Sequence, residues 1–265
     1  MGNLQKELEK IGIIKKENDN GKDLYPNFIR SDGRKWNETR KIIIEPNYIK
    51  NSDGSCLISF GNTKVICTAM ITDEAPSFAK EKNIGWLTSE YSMLPGSTLK
   101  RKARDRNKVD GRSVEIQRLI GRSLRGGIDL TCFPGYSLYI DADVINADGG
   151  TRTASITGGF VAAALAFEKY LSKGLIRTNP IKNYVAAISI GIVEGRILLD
   201  LMYEEDEKAQ CDMNVVATEN GELIDISAFS GGDTFKKNHF LTMLDVAINQ
   251  VRKITDIQKS VVNAK

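Results

Sequence analysis

Histidine is nearly absent from this chain of 265 residues, where His239 stands alone. That scarcity all but excludes a serine or cysteine nucleophile activated by imidazole, and metal sites built from several imidazoles. His239 opens a late helix in a polar stretch and reads as a surface or structural residue. Cysteine is sparse too. Cys56, Cys67, Cys132 and Cys211 are scattered and form no C-x-x-C pair, which argues for buried free thiols rather than a zinc site or a disulfide framework. Long apolar runs are missing: Tyr184 to Val193 falls well short of the roughly 20 residues that span a bilayer. The opening stretch MGNLQKELEK has no apolar signal core, so a cytoplasmic location is expected. Catalysis, if present, must run on carboxylates, arginines, lysines, backbone amides or a metal held by oxygen ligands.

What is there is the composition of an ordinary folded protein, 41% hydrophobic and 27% charged, of a length that fits one large domain or two closely packed halves. Residues 1–28 read as a weakly ordered extension, in which Asn18 to Lys22 is polar and turn-like. A repeated plan follows. Ser55 to Phe60 and Thr63 to Met70 alternate around Gly61-Asn62, and Tyr184 to Val193 and Arg196 to Tyr203 flank Glu194-Gly195 in the same way. A third hairpin turns at Asn220-Gly221. Each half closes with a helix, Thr157 to Leu171 and Phe240 to Gln258. The expected class is α+β, two β-sheet-plus-helix halves packed into one compact unit, spanning residues 29–172 and 173–265.

Three segments carry chemistry. Leu138 to Val144 alternates as a strand and runs into Asp148-Gly149-Gly150-Thr151-Arg152, then into a helix. Glycine-rich turn, hydroxyls, an arginine fork and a helix N-terminus suit a phosphate, although the spacing matches neither Walker A nor G-x-G-x-x-G; a plain structural turn is the alternative. Arg112 begins a second helix, where it can converge on the same anion, while Arg118, Arg122 and Arg125 line that helix's polar face. Ahead of it, Lys100 to Lys108 reads KRKARDRNK, a basic run that is either a solvated loop or a nucleic-acid grip. The acidic segment holds Asp200, Glu204, Glu205 and Asp206, with Asp212 soon after. Asp200 and Asp206 would lie about 20 Å apart on a straight strand, so they share a site only if the chain bends near Tyr203.

At these residues the sequence resembles the bacterial ribonuclease PH family from about Ile29 to Lys259. The resemblance rests on Arg30-Ser31-Asp32-Gly33-Arg34, FGNTKVICTA, GWLTSEYSMLP, GRSVEIQRLIGRSLR, DADVINADGGTRTASITG and DMNVV. It implies the ribonuclease PH fold, related to a ribosomal-protein domain, and a phosphorolytic 3′-to-5′ exoribonuclease. Such an enzyme trims tRNA precursors with inorganic phosphate and releases nucleoside diphosphates. It further implies that Arg112, Gly150, Thr151 and Arg152 hold phosphate. Asp200 and Asp206 would be the catalytic carboxylates with Mg²⁺ beside them, and the subunits would form a homohexameric ring, a trimer of dimers. Arg101 and Arg104 match the family's tRNA-binding arginines, joined here by Lys100, Lys102, Arg106 and Lys108. Gly96 stands where the family usually has an arginine, and Ser227 to Gly231 departs from its usual wording. A non-catalytic RNA-binding ring subunit of exosome type and a carboxylate-based hydrolase are the rival readings.

Overall fold

The computed structural model describes residues 24–104, 110–232 and 234–264. The chain divides into two units, residues 1–36 and 37–265. In the first, the amide of Gly33 bonds the Arg30 carbonyl and Arg34 pairs with Asp32 at 2.6 Å, closing a tight turn; Tyr25 meets Trp36 edge-on. Most of the expected extension lies outside the described residues.

The second unit is built on two sheets. The first contains β1 (Ile42–Pro46), β2 (Gly54–Phe60), β3 (Thr63–Thr72), β4 (Trp86–Met93) and β5 (Ser137–Asn146) in the order β1-β2-β3-β5-β4. All its pairings are antiparallel except β4 with β5. Between Thr72 and Ser137 the chain also forms the short helix α1 (Ser77–Glu81) and α2 (Gly111–Gly127). The central helix α3 (Thr151–Ser172) follows β5. The second sheet has the order β7-β6-β8-β9, from β6 (Val185–Val193), β7 (Arg196–Leu199), β8 (Ala209–Thr218) and β9 (Leu223–Ser230), all antiparallel. A short helix α4 (Tyr203–Glu207) joins β7 to β8, and α5 (Lys237–Val262) ends the unit. The architecture is α+β, as the hairpin and helix pattern predicts.

Small residues make α3 the joint between the sheets. It packs on β2, β3 and β5 from one side and on β6 and α5 from the other. A Cβ on Gly158 would come within 2.7 Å of Cys67 Sγ and Ile58, so only glycine lets the helix lie this close to the sheet. Gln258 on α5 donates to both the Thr157 carbonyl of α3 and the Val185 carbonyl of β6, each at 2.9 Å. The two sheets thus share one core around α3.

Two details differ from the sequence expectation. Helix α3 begins at Thr151 rather than Thr157. Its first turns carry Thr151, Thr153 and Ser155, buried because the helix is enclosed on both sides, and so without the one-sided apolar period that marks a surface helix. Strand β7 stops at Leu199 instead of reaching Tyr203, because Asp200 takes a positive φ of 55° and α4 takes over.

Candidate active site

Three segments meet around the N-terminus of α3. The first is the glycine turn itself. Gly149 and Gly150 have φ values of 74° and 68°, a region that L side chains avoid. A Cβ on Gly149 would sit 2.4 Å from the Leu201 carbonyl oxygen, so the turn lies directly on the segment that leads to α4. Behind it, Thr63 Oγ1 donates to the Gly149 carbonyl at 2.6 Å and accepts from the Asp148 amide at 3.0 Å. Tyr91 donates its hydroxyl to Thr151 Oγ1 at 2.9 Å, fixing the first residue of the helix. Helix α3 opens at this point, and the first amides of any helix lack intrahelical acceptors.

The second segment is α2 with its approach. Asp110 caps the helix, accepting from the Ser113 amide at 2.8 Å, and pairs with Lys102 at 2.6 Å; together they hold its carboxyl far below the usual range. Arg112 follows this cap and is exposed. The charges of Arg112, Lys102 and Arg152 all reach the Tyr91 hydroxyl, whose pKa burial nonetheless raises. Among the described residues neither Arg112 nor Arg152 makes an ion pair.

The third is the acidic segment. Here Asp200 and Asp206 differ in burial, the first inaccessible to solvent and the second exposed. Asp200 is fully buried, and both of its oxygens accept from Arg40: Oδ1 from Nη2 at 2.6 Å, Oδ2 from Nε at 3.0 Å and from the Arg40 amide at 2.8 Å. The same guanidinium donates to the Asp148 carbonyl and reaches those of Gly149 and Leu201 at 3.4 Å. Arg40 therefore clamps the glycine turn to the acidic segment, and its own pKa is raised by the carboxylate despite burial. Asp200 is thus held in the clamp, with its Oδ1 3.9 Å from where a Cβ on Gly150 would stand, beside the glycine turn.

The Asp206 charge acts on Asp212. Glu205 holds α4 by accepting from the Met202 amide at 3.0 Å, and Asp148 Oδ1 accepts from the Tyr203 amide at 3.3 Å. Asp206 is exposed, yet the protein around it raises its carboxyl, against the pull of Arg152 and Arg112. Half-buried Asp212 on β8 is raised by desolvation and by the Asp206 charge, and is opposed by Arg152, by a 3.3 Å hydrogen bond from Asn214 and by Arg112. Two arginines and two carboxylates therefore act on one another at the mouth of α3. Sequence reading noticed Asp212 but left it out of the site; its signal was the even spacing of Asp200, Asp206 and Asp212.

Two carboxylates raised by desolvation, Asp212 also by the Asp206 charge, could offer hard oxygen donors to a divalent cation. Among the described residues no group of three His, Cys, Asp or Glu side chains forms a metal cage. A Mg²⁺ held by two carboxylates, water and substrate oxygens is the arrangement that fits. Of the basic run, Lys100, Arg101 and Arg104 are exposed, and Lys102 is tied to Asp110. Arg106 and Lys108 lie outside the described residues.

Comparisons with known proteins identify the family. The first domain of the 3′ exoribonuclease family matches residues 38–167, and the second matches residues 183–250. A ribonuclease PH of Bacillus pumilus (strain SAFR-032) is 48% identical over 236 residues, covering 88% of this chain and 98% of its own. In fold the chain is similar to a chain of the Archaeoglobus fulgidus exosome with RNA bound to the active site. That match has a TM-score of 0.74 at 23% identity, covering 89% of this chain and 94% of that one. An archaeal exosome core chain gives a TM-score of 0.71 at 22% identity, covering 87% and 91%. No helix among the described residues is long and apolar enough to cross a membrane.

Proposed function

The chain belongs to the 3′ exoribonuclease family as a relative of ribonuclease PH, and from that premise we propose how its residues carry out phosphorolysis of RNA 3′ ends. The activity is that of a phosphate-dependent 3′ exoribonuclease with inorganic phosphate as co-substrate. The observation that supports the site assignment is the packing of the glycine turn at the start of α3 against Leu201, on the segment that leads to Asp206, where the charges of Arg112 and Arg152 act on Asp206 and Asp212.

Phosphate is already a nucleophile, so no histidine is needed to activate one. The obstacle is repulsion between two anions. Arg152, Arg112 and the amides at Thr151 and Arg152 hold phosphate and offset the charge gathering at the attacked phosphorus. Gly150 keeps the approach open: even a Cβ there would lie 3.2 Å from Arg40 Nη2 and from Thr153 Oγ1. A phosphate oxygen bonds to the terminal phosphorus, the bond to the preceding 3′ oxygen breaks, and that oxygen takes a proton from the Asp206–Asp212 pair. Both carboxyls are raised by desolvation, which favours holding a proton on one of them. Asp206 and Asp212 would also hold Mg²⁺, which supplies charge neutralisation at the non-bridging oxygens when bound. The products are a nucleoside diphosphate and an RNA shortened by one nucleotide. Because the diphosphate keeps a high-energy bond, the reaction runs both ways.

Precursor tRNA is the proposed substrate, gripped along its body by Lys100, Arg101 and Arg104, and a homohexameric ring is the proposed assembly. Incubating the protein with a 3′-extended RNA, Mg²⁺ and labelled phosphate tests the reaction. Label should appear in nucleoside diphosphate. Phosphate-independent release of monophosphates would mean a hydrolase, and no turnover a non-catalytic subunit. Sedimentation of the same preparation as monomer at micromolar concentration would contradict the ring.

A further inference from the structure

The second sheet ends at β9, an edge strand, and near its end Phe229 is 67% exposed. A single exposed aromatic side chain is common and by itself means nothing. Its register gives this one meaning. In the antiparallel pairing of β8 with β9, Phe229 stands directly opposite Asp212. Residues directly opposite in such a pair project from the same face, with Cβ atoms about 5 Å apart. The Phe229 side chain therefore rises on the same face as the Asp212 side chain, beside a carboxylate within reach of the Asp206, Arg152 and Arg112 charges. Two residues along that face, Ser227 stands opposite Asn214, which donates to Asp212. Phe229 is the large apolar group of this row. It also falls in the stretch Ser227 to Gly231, where the sequence departs from the family wording, so the feature belongs to this chain.

We propose that Phe229 is the stacking platform for the base of the 3′-terminal nucleotide, a positioning residue that registers the scissile phosphorus over the Asp206–Asp212 pair. The inference rests on the phosphorolytic reading above. A base lies one ribose away from its phosphate, and the Phe229 ring lies one cross-strand step away from Asp212. The arginines of the site are engaged by phosphate in this reading, which leaves the base to find another surface. An exposed ring supplies that surface to any base, and more of it to a purine than to a pyrimidine. The terminal nucleotide would then be held from two sides, its phosphate by arginines and its base by Phe229. A purine at the 3′ end should accordingly show the lower KM.

The test uses the full chain with short single-stranded RNAs that differ only in the last nucleotide: purine, pyrimidine or abasic. KM for RNA, KM for phosphate and kcat are measured for the wild type, Phe229→Ala and Phe229→Trp. Loss of stacking should raise the Phe229→Ala KM for base-bearing ends about tenfold, bring it close to the abasic value and erase the purine preference. The abasic substrate should be indifferent to the substitution, KM for phosphate should not change, and Phe229→Trp should restore the wild-type pattern. Phe229→Ala lowering all three substrates by one factor would make the residue structural and overturn the proposal. So would an unchanged KM for every substrate. If the wild type releases no diphosphate, the phosphorolytic reading has failed. The three RNAs, bound at equilibrium without phosphate, would then still show whether Phe229 senses the base.

Discussion

The clamp between Arg40 and Asp200 predicts a result opposite to that for a catalytic aspartate. Asp200 is inaccessible to solvent, and its ion pair is closed by three hydrogen bonds from one arginine. Asp200→Ala leaves that guanidinium buried with only neutral acceptors, three carbonyls and the Thr63 hydroxyl. Breaking a buried pair from one side costs about 3–5 kcal/mol. The Asp148, Gly149 and Leu201 carbonyls still receive the guanidinium, which places the loss near the lower end, about 3 kcal/mol. For a unit of this size that lowers Tm by roughly 6–12 °C. Arg40→Ala removes the other half of the same contact. The double variant should be little worse than either single one, a coupling of the kind shown by groups that act as a unit. Turnover should fall in both single variants by a similar factor, because each frees the glycine turn from the acidic segment and misplaces the phosphate site. Thermal unfolding and steady-state phosphorolysis on the four proteins of the cycle measure this. The reasoning is refuted if Asp200→Ala keeps the wild-type Tm and loses far more turnover than Arg40→Ala, for then Asp200 acts on the substrate.

Arg152→Ala should cut kcat about 100- to 1,000-fold at unchanged Tm, as loss of a charge-stabilising donor does; Arg112→Ala should mainly raise KM for phosphate. Near-normal rates for Arg152→Ala at low phosphate would remove it from the site. Asp206→Asn and Asp212→Asn should each lower single-turnover rates more than RNA affinity, since the amide keeps the shape but has no acidic proton to give. Both carboxyls are raised in the folded state, so they cost stability once ionised. Their effect on stability is absent below the ordinary carboxyl range and grows as pH rises through it towards the raised values, so either variant should have a higher Tm than wild type at neutral pH. A lower Tm across a pH series would contradict this. Replacing Arg101 and Arg104 together should weaken a tRNA precursor far more than a short oligomer and flatten its salt slope by roughly 0.7–0.9 per lost contact. Equal losses on both substrates would place the loop in the active site.

Much of this was legible in sequence, and the reasons are local. The turns at Gly61, Glu194-Gly195 and Asn220-Gly221 announce themselves because few residues tolerate their backbone; Glu194 and Gly195 both have positive φ. Arg112 and Arg152 were legible because each stands at a helix start. Arg40 was not. It lies 160 residues from Asp200, and no periodicity or motif marks it. Long-range buried pairs of this kind leave no local trace, since each half alone is an ordinary charged residue. Phe229 was equally silent, because its meaning comes from the register of β9 on β8.

Asp200, Asp206 and Asp212 follow one another at intervals of six, and sequence offers no reason to prefer one adjacent pair. The fold breaks the tie twice. Asp200 turns the chain out of β7 at a positive φ, and its carboxylate goes inward to the one guanidinium that joins both loops. After it, α4 advances only about 1.5 Å per residue, where a strand would advance about 3.3 Å, so Asp206 stays near the glycine turn. The chain then reverses into β8, and Asp212 comes up beside Asp206. A guanidinium buried at the junction has to be matched by a carboxylate, and Asp200 meets that need inside the fold. The other two aspartates have no ion-pair partner among the described residues. On the proposed reading, the Asp206 charge felt by Asp212 would be relieved by a cation or a proton brought to the site, the two species that breaking a phosphodiester next to a second phosphate requires.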